Sequence, residues 1–428
     1  MATRARGHQQ RSERSFDRKD LGDRAAKPRC LLPCLSGLTP PADSWHNGSM
    51  APNQPSFTIG IEEEHLLVDR TTRDLVREMP PALFEACERS LRGQVAREFL
   101  KAQIEVETRV HETARAAGEE LKSLRLTVAR LAAEHGLAPI AASTHPFARW
   151  GAQQATERER YQAIAKDLAG VGRRMVVCGM HVHVGIDDDE LRIDLMNQAR
   201  YFLPHLLVLS TSSPIVEGED TGLKCYRLAA YNELPRTGLP ERFGSWAEYR
   251  HTIDLLVRNG IIEDASKVWW DLRPSDRFPT LELRIPDVCT LLDDAVCVAA
   301  LYVSILRMLY RIRRANQMWR PYPRFLLSEN RWRAQRYGVA GTLFDFGKGA
   351  LVPFGDLVDE LLGMVREDAE ALDCLAEVEH ARTIVARGTS ADRQVAHFNR
   401  LLAEGVPREE ALHGVVDGLI AETLGQEA

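Results

Sequence analysis

The chain has 428 residues, 44% hydrophobic and 27% charged, enough to bury a large core. Its formal net charge of −6 excludes the strongly basic surface that a nucleic-acid or anionic-membrane partner requires. Eight cysteines are scattered without a C-x-x-C pair, so free thiols of a reducing cytoplasm are expected, not a disulfide framework.

Residues 1–55 are arginine-rich and lack apolar periodicity. They have no apolar central run of a secretory signal, and Glu13, Asp17, Asp20 and Asp23 speak against a transit peptide. A disordered extension is expected there, with Met50 as an alternative start. From Phe57 onward strand-like and helix-like segments alternate. "FTIGIEEEHLLVD" and "AQIEVETRV" read as strands, and "ELKSLRLTVARLAAEHG" as a helix with Leu121, Leu124, Val128 and Leu131 on one face and Gly136 ending it. "CGMHVHVGI" is a third strand. "YFLPHLLVLSTSSPIV" is the nearest approach to a membrane span, broken by proline, histidine and hydroxyls, so no run is expected to cross a bilayer. "PTLELRIPD" is a fourth strand. "LLDDAVCVAALYVSILRMLYRIRRAN" is a long buried helix with Asp293 and Asp294 at its start and Arg311, Arg313 and Arg314 at its end, matching the helix dipole. Asp356 to Val385 reads as helix again. There is no internal repeat and no linker after residue 56, so one α+β domain over 56–428 is expected.

Side chains alternate across a strand, so residues two apart share a face. Glu62 and Glu64 then oppose Ile61 and Glu63, while Gln103, Glu105 and Glu107 oppose Ile104 and Val106. His181 and His183 oppose Val182 and Val184, and Thr280, Glu282 and Arg284 oppose Leu281, Leu283 and Ile285. A sheet wet on one side also alternates, but it would mix lysine, serine and threonine on the polar face. Here that face is carboxylate and imidazole with one arginine. Two adjacent carboxylates about 5 Å apart repel by about 3 kcal/mol at an effective dielectric near 20, and divalent Mg²⁺ or Mn²⁺ is the natural compensation. An arginine two residues from a metal carboxylate, as with Glu282 and Arg284, suits a transferring phosphoryl group. There is no Walker-type loop and no G-x-G-x-x-G, so a nucleotide has to be held by this sheet.

In this order, "FTIGIEEEHLLVD", "QIEVET", "GMHVHVG", "RLAAYNELPRTGLP", "RPSDRFPTLELRIPD", "ENRWRAQRYG" and "ARGTSADRQ" resemble the carboxylate-amine ligases of the glutamate–cysteine ligase type 2 family. The resemblance covers residues 56–428. It implies a glutamine-synthetase-like α+β fold, with an antiparallel saddle- or funnel-shaped sheet and helices outside. It also implies ATP-dependent activation of a carboxylate as an acyl phosphate, attacked by an amine, with Mg²⁺ or Mn²⁺ as cofactor. The implied partners are small molecules, glutamate and cysteine, and a homo-oligomer is compatible with it. Residue by residue, Glu62, Glu64, Glu105, His181 and Glu282 resemble metal ligands, His183 and Arg284 phosphate contacts, and Arg227 the receptor of a substrate carboxylate. Arg273 and Arg333 resemble further anion contacts. The preferred grouping is Glu62, His181 and Glu282 around one ion, with Glu64 and Glu105 around another. Glu107 has no assigned role, and Glu63 and His65 point away as structural groups. Two other readings are a metal-dependent hydrolase of the barrel class using H-x-H, and a non-catalytic nucleotide or metal sensor on a ligase scaffold.

Overall fold

Alternation in the "GIEEEH" segment and its three partners produces the central sheet. In the computed structural model, which describes residues 54–153, 156 and 177–426, the strands are β1 (Ile59–Asp69), β2 (Val95–Arg97), β3 (Gln103–Glu107), β4 (Leu137–Ile140), β5 (Met180–Gly185), β6 (Leu272–Pro274) and β7 (Thr280–Leu283). They pair antiparallel in the order β6-β7-β5-β1-β3-β2, and β4 pairs with the distal half of β1. The register sets Glu62 opposite both Glu107 and His181, Glu64 opposite Glu105, and Glu282 opposite both His183 and Arg273. Four segments far apart in sequence thereby share one polar face. The expectation for the extension falls, as far as Asn53, outside the described residues, which belong to one compact unit, Gln54–Ala428.

The other face is covered by helices. The helices that matter to the site are, in chain order, α1 (Ala114–Ala133), α2 (Arg227–Tyr231), α3 (Leu292–Arg314) and α4 (Arg324–Tyr337), of which α1 and α3 pack on the sheet. Thr113 caps α1 by accepting from the Ala116 amide at 3.2 Å, and Gly136, with φ of 72°, turns the chain into β4. Leu121, Leu124, Val128 and Leu131 are all buried, as the periodicity predicts. The same helix carries a group that the periodicity hides, Arg125, which is 2% exposed. Arg125 donates to Glu63 at 2.6 and 2.8 Å and to the carbonyls of Thr290 and Cys289 at 2.7 Å each. Burial alone would raise the Glu63 carboxyl, but the Arg125 charge and the His65 hydrogen bond hold it at about 2.

α3 differs from expectation in one respect. By length and apolar composition it is sufficient to cross a bilayer, yet 83% of its apolar window is buried within the fold. It is a core helix, tied to the sheet by the Tyr302 hydroxyl donating to the Leu281 carbonyl at 3.1 Å. Its terminal charges do more than complement a dipole. Asp294 accepts from Arg387 at 2.7 Å, and Arg311 donates to Asp368 at 2.8 Å. The single helical stretch expected from Asp356 to Val385 is instead three helices, Phe354–Ala371, Leu375–Glu379 and Ala381–Arg387. The first break falls at Asp373, which adopts φ of 49°.

Candidate active site

The polar face of the sheet floors a cavity of about 350 Å³. Glu62 is its hub. One carboxylate oxygen lies 3.0 Å from His181 Nδ1 and the other 3.1 Å from His183 Nε2, while His183 Nδ1 meets the Thr280 hydroxyl at 2.9 Å. Burial opposes ionisation of Glu62, but the two imidazole hydrogen bonds hold it well below the usual carboxylate range. His183 is correspondingly raised by Glu62 against the effect of burial. His181 is pushed down to about 4 by burial and the nearby Arg284 charge, so it is a neutral imidazole. Its Nε2 is buried without a hydrogen-bond partner.

Glu282 lies between two guanidinium groups. Arg273 donates to it at 2.9 and 3.2 Å, and Arg284 donates to Oε1. Their charges overcome burial and hold Glu282 far below its ordinary value. Arg273 is itself oriented by the carbonyls of Ser266 and Val268 at 2.9 and 2.7 Å.

On the far side of β1 the balance is reversed. Burial and the Glu98 charge push Glu64 up to about 8, although it accepts from the Gly179 amide at 2.8 Å and Arg227 opposes the rise. Glu105 is raised further by burial and by Glu98, Glu62, Glu64 and Glu107. Ligand atoms of Glu62, His181 and Glu282 lie within 4.8 Å of one another, and so do those of Glu64, Glu98 and Glu105. These two donor sets fit two hard divalent cations. The oxygen-rich composition suits Mg²⁺ or Mn²⁺, the uncommitted His181 Nε2 offers a nitrogen, and a cation would relieve the like-charge crowding at Glu64 and Glu105.

The structure thus brings Glu62, Glu64, Glu105, Glu107, His181, His183, Arg273, Glu282 and Arg284 to one cavity. Glu63 and His65 lie on the opposite face, 3.0 Å apart. Two arginines are placed elsewhere. Arg227, 2% exposed, stands behind the wall, donating to the carbonyls of Arg284, Ile285 and Pro286 at 3.1–3.3 Å. It borders a crevice of about 10 Å³ next to the main cavity, where it supports the chain that carries Arg284. Arg333 does not line the cavity. Its guanidinium donates to the Thr342 carbonyl and hydroxyl at 2.7 and 2.5 Å, because α4 turns that face toward the neighbouring hairpin. On the same helix Arg331 reaches the crevice, pairing with Asp271 at 2.7 and 3.0 Å.

Sequence reasoning missed Glu98. It sits between β2 and β3, where no alternation marks it. The available signal was an acidic residue just ahead of the "QIEVE" strand, on a connection short enough to fold back over that strand.

An antiparallel sheet crowded with carboxylates, two imidazoles and two arginines suits an ATP-dependent ligase. Comparisons with known proteins agree. Residues 58–419 match the profile of glutamate-cysteine ligase family 2. A Rhodospirillum rubrum protein named "Putative glutamate–cysteine ligase 2" is 58% identical over 375 residues, covering 87% of this chain and 96% of its own. A protein of the same name from Ruegeria pomeroyi is 54% identical, covering 88% and 97%. Among solved structures, glutamate–cysteine ligase from Francisella tularensis in complex with AMP superposes with a TM-score of 0.62 at 14% identity, over 86% of this chain and 89% of that one. A bifunctional glutathione synthetase from Pasteurella multocida gives 0.61 at 16%, over 86% and 52%. The chain belongs to glutamate–cysteine ligase family 2, and is an ATP-dependent ligase. Among the described residues the sheet does not close between β6 and β2, unlike the barrel that the hydrolase reading calls for.

Proposed function

We propose that the protein joins the γ-carboxylate of glutamate to the amine of cysteine at the expense of ATP, through an acyl phosphate. The observation that carries this reading is the placement of Glu282 between Arg273 and Arg284, beside the Glu62–His181 pair, in a chain of this family. A carboxylate is a poor electrophile. In the first step its oxygen bonds to the γ-phosphorus and ADP leaves. In the second the amine attacks the acyl carbon, loses a proton, and phosphate departs.

Glu62, His181 and Glu282 would hold one cation, and Glu64, Glu98 and Glu105 another. Bound Mg²⁺ or Mn²⁺ supplies charge neutralisation and alignment of the phosphate oxygens. The protein's own groups do the rest. Arg284 is buried, with its charge held firmly by Glu282 and its pKa raised despite burial. It offers the preformed guanidinium that stabilises charge developing on the transferred phosphoryl group. Arg273 fixes Glu282 and completes the positive wall. His183, raised by Glu62, presents positive character at the same end of the cavity. His181, kept neutral, leaves its Nε2 lone pair for coordination. The residues act in a cytoplasmic, reducing setting, consistent with six buried free thiols among the described cysteines.

The test is ADP release with Mg²⁺, ATP and glutamate, with and without cysteine, beside Glu282→Ala. Cysteine-dependent ADP that the substitution abolishes supports the reading. ADP release supported equally by glutamate alone, or by other amines in place of cysteine, would sink the substrate assignment.

A further inference from the structure

The stretch "ENRWRAQRYG" places Arg331 and Arg333 two positions apart on α4, and so on different faces of the helix. Arg333 turns to the neighbouring hairpin. Arg331 turns inward and is 7% exposed, and its partner Asp271 is 4% exposed. Their contact is bidentate, Nε donating to Oδ2 at 2.7 Å and Nη2 to Oδ1 at 3.0 Å. Burial opposes the Arg331 charge, but the Asp271 carboxylate raises its pKa. Neither residue lines the large cavity.

Asp271 immediately precedes β6, where Leu272 stands opposite Leu283 of β7. One step beyond that pair, the Asp271 carbonyl accepts two amides, from Arg284 at 2.9 Å and from Ile285 at 3.0 Å. Two consecutive residues opposite one form a β-bulge, a device that re-aims a side chain. The side chain at this bulge is Arg284, which lines the cavity and donates to Glu282. The carbonyl of Arg284 is held as well, accepting from Arg227 at 3.1 Å.

The support behind the bulge is itself anchored. The Asp271 amide donates to the Gly238 carbonyl at 2.8 Å. On α4 the Gln335 carbonyl accepts from the Lys224 and Cys225 amides at 2.8 and 3.2 Å, and the Asn330 side chain exchanges hydrogen bonds with the Phe344 backbone at 2.8 and 2.7 Å. A buried ion pair is a poor source of net stability beside an apolar pair of the same volume. What it adds is a directional, planar contact that an apolar pair lacks.

We propose that Asp271 and Arg331 are positioning residues for phosphoryl transfer: their ion pair fixes the Asp271 carbonyl, which holds the bulge that aims Arg284 at the transferred phosphate. The inference rests on the role given to Arg284 above.

Two readouts on the full chain test it. The first needs no substrate. Amide hydrogen exchange of residues 283–287, read by mass spectrometry, should quicken about tenfold in Arg331→Lys, which keeps the charge but loses the bidentate contact. The second is the single-turnover rate of ADP formation with Mg²⁺, ATP, glutamate and cysteine, in which the amplitude reports the folded fraction separately. Arg331→Lys should slow that rate about tenfold and leave the KM for ATP within about twofold. In an Arg284→Ala background the same substitution should change the rate less than about twofold, because the group it acts through is gone. Asp271→Asn should behave alike, and it keeps the test decisive should Arg331→Lys fold poorly. The proposal is overturned if exchange at the bulge is unchanged, if the rate is unchanged, or if both backgrounds slow equally, as a general loss of packing would make them. An Arg284→Ala protein with an intact rate refutes the role of Arg284 and this inference with it. A wild type that forms no ADP from glutamate and cysteine refutes the substrate assignment alone, and the exchange result then decides.

Discussion

Gly179 leaves room for Arg227. A Cβ built at Gly179 would lie 2.3 Å from one terminal nitrogen of the Arg227 guanidinium and 2.8 Å from its central carbon. The same residue's amide donates to Glu64 at 2.8 Å. One glycine therefore couples the entry to β5, the position of a candidate cation ligand and the brace under Arg284. Gly179→Ala is expected to destabilise the fold by about 1–3 kcal/mol, the usual cost of overpacking, and to lower kcat in the folded fraction. Urea unfolding beside steady-state kinetics separates the two effects. Unchanged kcat would mean that the Arg227 brace is dispensable.

Arg284 and Arg333 should respond differently. Arg284→Ala removes a buried guanidinium aimed at the cavity and is expected to lower kcat by roughly 10²–10³-fold. Arg333→Ala loses hydrogen bonds to Thr342, an ion pair with Glu329 and a stack on Tyr337, none of them lining the cavity, and should leave kcat within about twofold. Single-turnover ADP formation reads both, and equal losses would return Arg333 to the site.

Glu98→Gln tests the residue that sequence alternation did not mark. If Glu98 joins Glu64 and Glu105 at a cation, half-saturation by Mg²⁺ should rise by about tenfold or more. Glu107→Gln, outside both donor sets, should move it less. Activity titrated with Mg²⁺ at saturating ATP decides this, and an unmoved midpoint in Glu98→Gln would remove that residue from the set.

Stability toward acid should fall in two windows. His145 is buried, with Nε2 2.8 Å from the Arg73 carbonyl and Nδ1 accepting from the Ala148 amide at 2.9 Å. Burial lowers its pKa to about 4. A folded-state pKa below the unfolded value means the native state binds fewer protons, so stability is full above about pH 6.5 and is lost as pH falls toward 4. Glu63, held at about 2 by Arg125 despite burial, contributes fully above about pH 4.5 and loses its contribution as pH falls toward 2. At about 1.36 kcal/mol per unit, each effect is about 3 kcal/mol. Urea midpoints measured from pH 7 to pH 3 should show a smaller first loss in His145→Asn than in the wild type, the remainder coming from the buried His181 and His205, which are lowered over the same range.

The pair Arg125 and Glu63 should be far costlier to break than to replace. Arg125→Ala leaves a carboxylate buried without its cation and should cost about 3–5 kcal/mol, whereas Arg125→Met with Glu63→Leu should recover much of that loss. Equilibrium unfolding of the three proteins measures it, and additive losses would show that the two side chains do not act as a unit.

Much of the site was legible because a strand repeats every two residues. That period alone sorted Glu62 and Glu64 from Glu63, Glu105 from Val106, His181 from Val182 and Glu282 from Leu283, and the register then joined them. What was not legible depends on contacts between distant segments. Arg125 reaches Glu63 across 62 positions, and Arg227 reaches the Arg284 carbonyl across 57. Neither carries a local pattern, since a buried arginine on an apolar helix face reads like any solvated charge. Glu98 lies in a connection with no period at all. The break at Asp373 was hidden because a single left-handed residue interrupts a helix without altering the apolar spacing on either side.

Ile59 and Ile61, both buried, set the face of β1, but within the three consecutive glutamates a slip of one residue exchanges one carboxylate for another. A second determinant lies outside the strand. Arg125 projects from α1 to receive a single carboxylate, and two more of its N–H groups go to the Thr290 and Cys289 carbonyls. Only the alignment that offers Glu63 to that guanidinium satisfies the helix side, and the same alignment delivers Glu62 and Glu64 to the cavity. The helix layer thus proofreads the placement of the candidate cation ligands from behind the sheet, without touching them.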